Sequence, residues 1–157
     1  MRDNQKLLEP LFKTITLSLK ALEGSVNLHS AGIFKEKIDP YYFHWSLDVK
    51  QSNSEETKIR VYELIADARF KSIFTYLDKD LKKLCLTQGQ IVEYFKTYNL
   101  FLKSCRSTFF LFEEKEVFYV ANISALDVDE SSLEVYQINE WRKWHKNFQH
   151  RVVVKTS

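Results

Sequence analysis

The stretch TFFLFEEKEVFYVANIS, residues 108–124, decides how the rest of the chain is read. Two β-rich runs, with apolar residues spilling onto both faces, meet at the charged Glu113–Glu116 turn, which is the pattern of a β-hairpin. The turn lacks the Asn-Gly pair that two-residue hairpins favour. Working outward, SLEVYQI supplies a third strand and HRVVVK a fourth, so the sequence predicts strands over about 107–113, 116–124, 132–138 and 150–155.

Upstream, Thr87 and Gln90 stand three residues apart ahead of an apolar stripe of Ile91, Phe95, Tyr98 and Leu102. That spacing is a capping box, and it predicts a helix over 88–102. Phe70, Ile73, Phe74 and Leu77 predict another over 67–77, preceded by an ambiguous run, Ile59–Ile65, that alternates like a strand. Leu8, Leu11, Phe12, Ile15, Leu19 and Leu22 recur at helical spacing and predict an N-terminal helix over 3–23, with Pro10 in its first turn and Gly24 as its stop. An aromatic segment at 40–49 and a polar loop, KQSNSEE, lie between.

These elements add up to an α+β class: a single domain, residues 1–157, with helices packed on a small antiparallel sheet of about four strands formed mainly by the C-terminal third. The second face carries so few polar residues that residues 25–56, the Trp141–Phe148 segment or another chain is expected to cover it.

The 157 residues match one ordinary domain, 45% hydrophobic and 15% aromatic, with three glycines and two prolines. Such a composition excludes collagen-like and low-complexity architectures. A net charge of +2 requires neither nucleic acid nor an anionic membrane as partner. No apolar run approaches the ~18 residues of a membrane span. The opening MRDNQKLLEP has no apolar signal core, so the expectation is a cytoplasmic protein with two reduced thiols, Cys85 and Cys105.

The pieces LCLTQGQI, TFFLF, FYVANI and HRVVV resemble a group of small uncharacterised bacterial hypothetical proteins over roughly residues 59–154. The chain departs from that pattern at Lys155, where a proline is expected, and in NLFLKSCRS, where a tryptophan-containing helix end is expected. The resemblance implies a bacterial one-domain protein and carries no activity and no catalytic residue.

Familiar chemistry finds little purchase. His145 and His150 are five apart, His29 and His44 fifteen, and the cysteines twenty, none of them the paired spacing of a structural zinc site. The acidic loop DVDESS lacks the glycine and terminal glutamate of a calcium loop. No glycine-rich phosphate loop and no GxSxG elbow is present. Neither a metal nor a cofactor is expected.

Three candidates for catalysis remain. Cys105 stands between Lys103 and Arg106, cations that lower a thiol pKa. His150 and Arg151 have the types of a general acid and a phosphate clamp, as in a toxin-type ribonuclease. The surrounding stretch EWRKWHKNFQHRVVVKT, residues 140–156, offers Trp141, Arg142, Trp144, His145, Lys146 and Arg151 as a binding set, because single-strand binders interleave rings with cations. Its alternative is core packing, with the stretch finishing the sheet.

Three functions follow: a non-catalytic module binding a protein partner or a second copy of itself; an RNA- or single-stranded-DNA-binding protein using the basic aromatic stretch; and a small-molecule binding domain lined by the Tyr41–Trp45 cluster with His44 or His150.

Overall fold

A computed structural model describes residues 5–11, 16–98, 107–125 and 131–156. It shows a seven-stranded mixed sheet, not a four-stranded antiparallel one. In chain order the elements are β1 (Leu8–Pro10), β2 (Leu17–Leu19), α1 (Pro40–His44), β3 (Thr57–Leu64), α2 (Phe70–Leu77), α3 (Gln88–Thr97), β4 (Ser107–Glu114), β5 (Val117–Ala125), β6 (Ser131–Gln137) and β7 (His150–Lys155). The strand order is β1-β3-β7-β4-β5-β6, with β2 also on β3.

The largest correction falls on residues 3–23. Their described part is not a helix but two short strands, β1 and β2, pairing end to end along one side of β3 through Leu8↔Leu64 and Leu17↔Ile59. Leucines at helical spacing lose here to a partner that only the tertiary fold supplies. Pro10 agrees with the outcome. A proline inside a helix removes a hydrogen bond, whereas on an outer strand its missing N–H is harmless. Gly24 ends no helix. Its Cα lies so close to the 51–53 backbone that an added Cβ would come within 2.2 Å of the Gln51 carbonyl oxygen.

The sheet is also not wholly antiparallel. β7 lies between β3 and β4, antiparallel to the first and parallel to the second. The chain reaches that slot by leaving β6 at the far edge and crossing the sheet through residues 138–149.

Both faces are covered. Ile59, Val61, Phe110, Phe112, Ala121, Leu133 and Val153 pack against α3 and against Leu28, Phe34, Tyr42 and Leu47. On the other side Leu64, Phe109, Leu111, Val120, Val152 and Val154 pack against Phe70, Ile73 and Phe74 of α2, against Leu84, and against Trp144. Residues 25–56 and the 138–149 crossover thus each take one face. The unbroken apolar run in β4 is the sequence trace of this double burial.

The rims of the sheet are blocked as well. Along β6, Asp39 N–H donates to the Leu133 carbonyl, Leu133 N–H to the Lys37 carbonyl, and Val135 N–H to the Asp39 carboxylate. Along β2, the Tyr98 hydroxyl donates to the Ser18 carbonyl and accepts from the Ser18 N–H. Edges closed in this way resist pairing with another chain.

The β4–β5 turn is tight, with Glu114 opposite Val117. Lys115 and Glu116 both have positive φ, 51° and 66°, a region that costs side-chain-bearing residues about 1–2 kcal/mol each. Lys115→Asn combined with Glu116→Gly is therefore expected to stabilise the fold by about 1–2 kcal/mol, a rise of ~3–6 °C in Tm by calorimetry. An unchanged or lowered Tm would show that the two side chains serve another purpose.

Candidate binding cleft

The residues singled out near the C-terminus do not form one site. Trp144 turns inward, its ring 5.1 Å from Phe70, 5.0 Å from Phe109 and 5.6 Å from Tyr136. His150 is only 3% exposed; it stacks on Phe109 and its Nδ1 is 2.6 Å from the Ser107 hydroxyl. A ring so enclosed meets no substrate. Strand alternation sends Arg151 to the opposite face, beside Val153 and across from Glu63 on β3.

Arg142 lies over the Tyr136 and Trp144 rings and donates to the Tyr136 hydroxyl. Next to it, His145 Nδ1 is 3.2 Å from Asp67, whose other oxygen accepts from the Lys146 N–H. That N–H, and then His145, hold the Asp67 carboxyl below the usual carboxylate range. The anchorage is therefore complete above that range and lost as pH falls through the lowered value. Trp141 stands out furthest of these rings, 77% exposed, with the His145 side chain 56% exposed. Cys105 and the acidic residues 127–130 lie outside the described residues.

A different set of residues converges at one end of the sheet. The parallel pair β4 and β7 ends there, in Glu113–Glu114 and Lys155–Thr156, beside the start of β3 and the Thr87 cap of α3. Together with residues 50–56 they enclose an open cleft of about 790 Å³. Crevices outside the carboxyl ends of parallel strands are recurrent ligand sites.

Gln51 and Glu114 on the cleft's wall belong to a buried amide network that lies behind it. Gln88, fully buried, donates its N–H to Gln51 Oε1 and its side-chain amide to the Leu47 carbonyl and to Glu114 Oε2, at 2.9 Å. Its Oε1 accepts from the Tyr42 hydroxyl at 2.7 Å and from the Leu28 N–H. Gln51 donates to the same Glu114 oxygen at 3.0 Å. Two neutral amides therefore fix the Glu114 carboxylate, and no lysine or arginine lies within ion-pair distance of it among the described residues. Its charge is felt nearby: Tyr119 is pushed above the usual phenol range by burial and then by Glu114.

The neighbouring Glu113 is paired with Lys82 at 3.5 Å. Thr87 and Gln90 complete the capping box, and the Gln90 amide donates to Thr57. Cys85 lines the cleft too, but burial and the Glu113 charge push its thiol up to about 12. In a Cys105→Ser variant, Cys85 is expected to react with a disulfide reagent at pH 8 at least ~100-fold more slowly than free cysteine, and at the normal rate once the chain is unfolded. Fast reaction of the folded protein would reopen Cys85 as a nucleophile.

Sequence reading missed this constellation. Gln51 stood in what read as a polar loop, Gln88 was given no role at the start of its helix, and Glu114 read as part of a charged turn. The one available signal was LTQGQI, whose first glutamine has no role in the capping box. No residue of the Tyr41–Trp45 cluster lines the cleft: Tyr42 reaches the network behind it through Gln88, Tyr41 stacks on Trp45 at 4.8 Å, and Trp45 packs near Tyr119.

No known protein family, curated protein or solved structure matches the chain. Among the described residues no group of histidine, cysteine and carboxylate side chains is arranged to hold a metal, and no helix is long and apolar enough to cross a membrane.

Proposed function

We propose that the protein is a non-catalytic binding module that holds a small polar molecule, bearing an ammonium or guanidinium group, in the cleft at the end of β4 and β7. One observation carries this reading: the Glu114 carboxylate is fixed by Gln51 and Gln88, has no ion-pair partner among the described residues, and lines the cleft. A carboxylate oriented in advance by buried partners forms a charge-assisted hydrogen bond without further ordering cost. The cleft's size also falls within the range of ligand sites, ~300–1,000 Å³. Lys50, Lys58 and Lys155 on the walls favour a ligand whose far end is anionic or polar. The raised Cys85 thiol argues against thiolate chemistry in the cleft. The resemblance to small bacterial proteins, together with a free Cys85, supports a reducing bacterial cytoplasm as its setting.

Thermal unfolding with arginine amide and with spermidine tests it. At ten times Kd, a site present only in the folded state adds about 1.4 kcal/mol, a Tm rise of ~3–6 °C. Glu114→Gln is expected to abolish the rise and Glu36→Gln, an exposed carboxylate outside the cleft, to leave it. A rise of equal size in both variants would remove Glu114 as the anchor.

A second reading, a protein-binding surface, is favoured by α1. Tyr41 is 53% exposed yet held rigid on Trp45, as interface anchors are. Light scattering across a concentration series, with Tyr41→Ala as the control, tests self-association through it.

A further inference from the structure

We infer that the outer surface of residues 141–149 is a second, independent site, one that binds single-stranded nucleic acid by stacking a base on Trp141 and engaging phosphates with Lys143 and Lys146. The segment is a fixed ledge. Trp144 exchanges two backbone hydrogen bonds with Ala68, at 2.8 and 3.0 Å, and sinks its ring among Phe70, Phe109 and Tyr136. Arg69 Nε donates to the Trp141 carbonyl at 2.6 Å, and Asp67 accepts from the Lys146 N–H at 2.9 Å.

These anchors use the backbone of 141 and 146 and leave the side chains outside. Trp141 is 77% exposed, and Lys143 and Lys146 are exposed with no ion pair among the described residues. The bare indole offers a π-face on which a planar group can stack.

Charge selects the partner. The two acids at the ledge are occupied internally: Asp67 by Lys146 N–H and His145, Glu140 by the Arg142 N–H. Asp67 is still 44% exposed beside His145, but the Lys143 and Lys146 ammonium groups and the Trp141 indole stand clear of it on the outer side. A duplex offers its phosphates but keeps its bases stacked, and the ledge has neither helix nor ribbon to enter a groove. An acidic peptide satisfies the lysines and leaves the indole uncovered. A single strand supplies phosphate and an open base face together.

The test uses the full chain with fluorescein-labelled oligo(dT) and oligo(rU) of 12 nucleotides at 20 mM NaCl. Binding is expected to quench tryptophan emission. With the two phosphate contacts of Lys143 and Lys146 it should weaken ~17-fold between 20 and 150 mM salt. Trp141→Ala is expected to weaken binding ~10-fold and remove most of the quenching, and Trp141→Phe to stay within ~3-fold of the parent, because a phenyl ring still stacks. Lys143→Ala with Lys146→Ala should lower the salt slope by about 1.4. The inference is overturned if no binding is seen at 20 mM NaCl, if Trp141→Ala binds like the parent, or if polyglutamate of equal length competes as well as oligo(dT). That last result would assign the ledge to an acidic polypeptide. None of these outcomes depends on Glu114.

Discussion

Truncating Phe109 to alanine is expected to cost about 3–5 kcal/mol, a large share of the stability of any domain this size. The ring is fully buried on β4, flanked by β5 and β7, and it is the hub of one face. Phe70 meets it edge-on at 4.9 Å, Trp144 at 5.0 Å, and His150 stacks on it at 5.0 Å. These partners come from α2, the crossover and β7, so no single neighbour can move in to fill the void. Urea unfolding followed by tryptophan emission measures the loss, with Trp144 as a reporter on the same cluster. A loss below ~1.5 kcal/mol would mean that the cluster collapses onto the gap. The nearby Trp141→Ala should change stability by less than ~0.5 kcal/mol, since its side chain stands in water.

Replacing Gln88 by methionine is expected to cost a similar ~3–5 kcal/mol for a different reason. Methionine nearly preserves the volume, so the penalty is polar. The Tyr42 hydroxyl and the Leu28 N–H lose their acceptor, the Leu47 carbonyl loses a donor, and Glu114 keeps one of its two amides. Each buried group left unpaired costs ~1–3 kcal/mol. The substitution also loosens Glu114, so the thermal response to arginine amide should fall with it. Stability within ~1 kcal/mol of the parent would show that water takes over the amide's bonds.

The contrast between these two positions shows what a single sequence reveals. Phe109 was readable because TFFLF alternates and yet stays apolar on both sides, a local pattern with one physical cause. The Thr87–Gln90 cap was readable for a similar reason, since both partners belong to the same turn. Gln88 was not, because its value comes from Tyr42, Leu47, Gln51 and Glu114, brought together only by the folded sheet. The leucines of residues 8–22 show the same limit: strands of three residues are specified by β3, to which they bond, rather than by their own spacing. His150 and Arg151 looked like a pair because they are adjacent, and adjacency in a strand places side chains on opposite faces.

The position of β7 also has a bearing on how the protein is made. Everything through residue 149 can leave the ribosome with β3 and the β4–β6 meander still two separate fragments, because the strand that bonds to both is residues 150–155. Until that piece emerges, the long inner margins of β3 and β4 are open to any passing chain. A transcript cut short just before His150 thus yields a polypeptide poised to stick to its neighbours, not a slightly smaller version of the same protein.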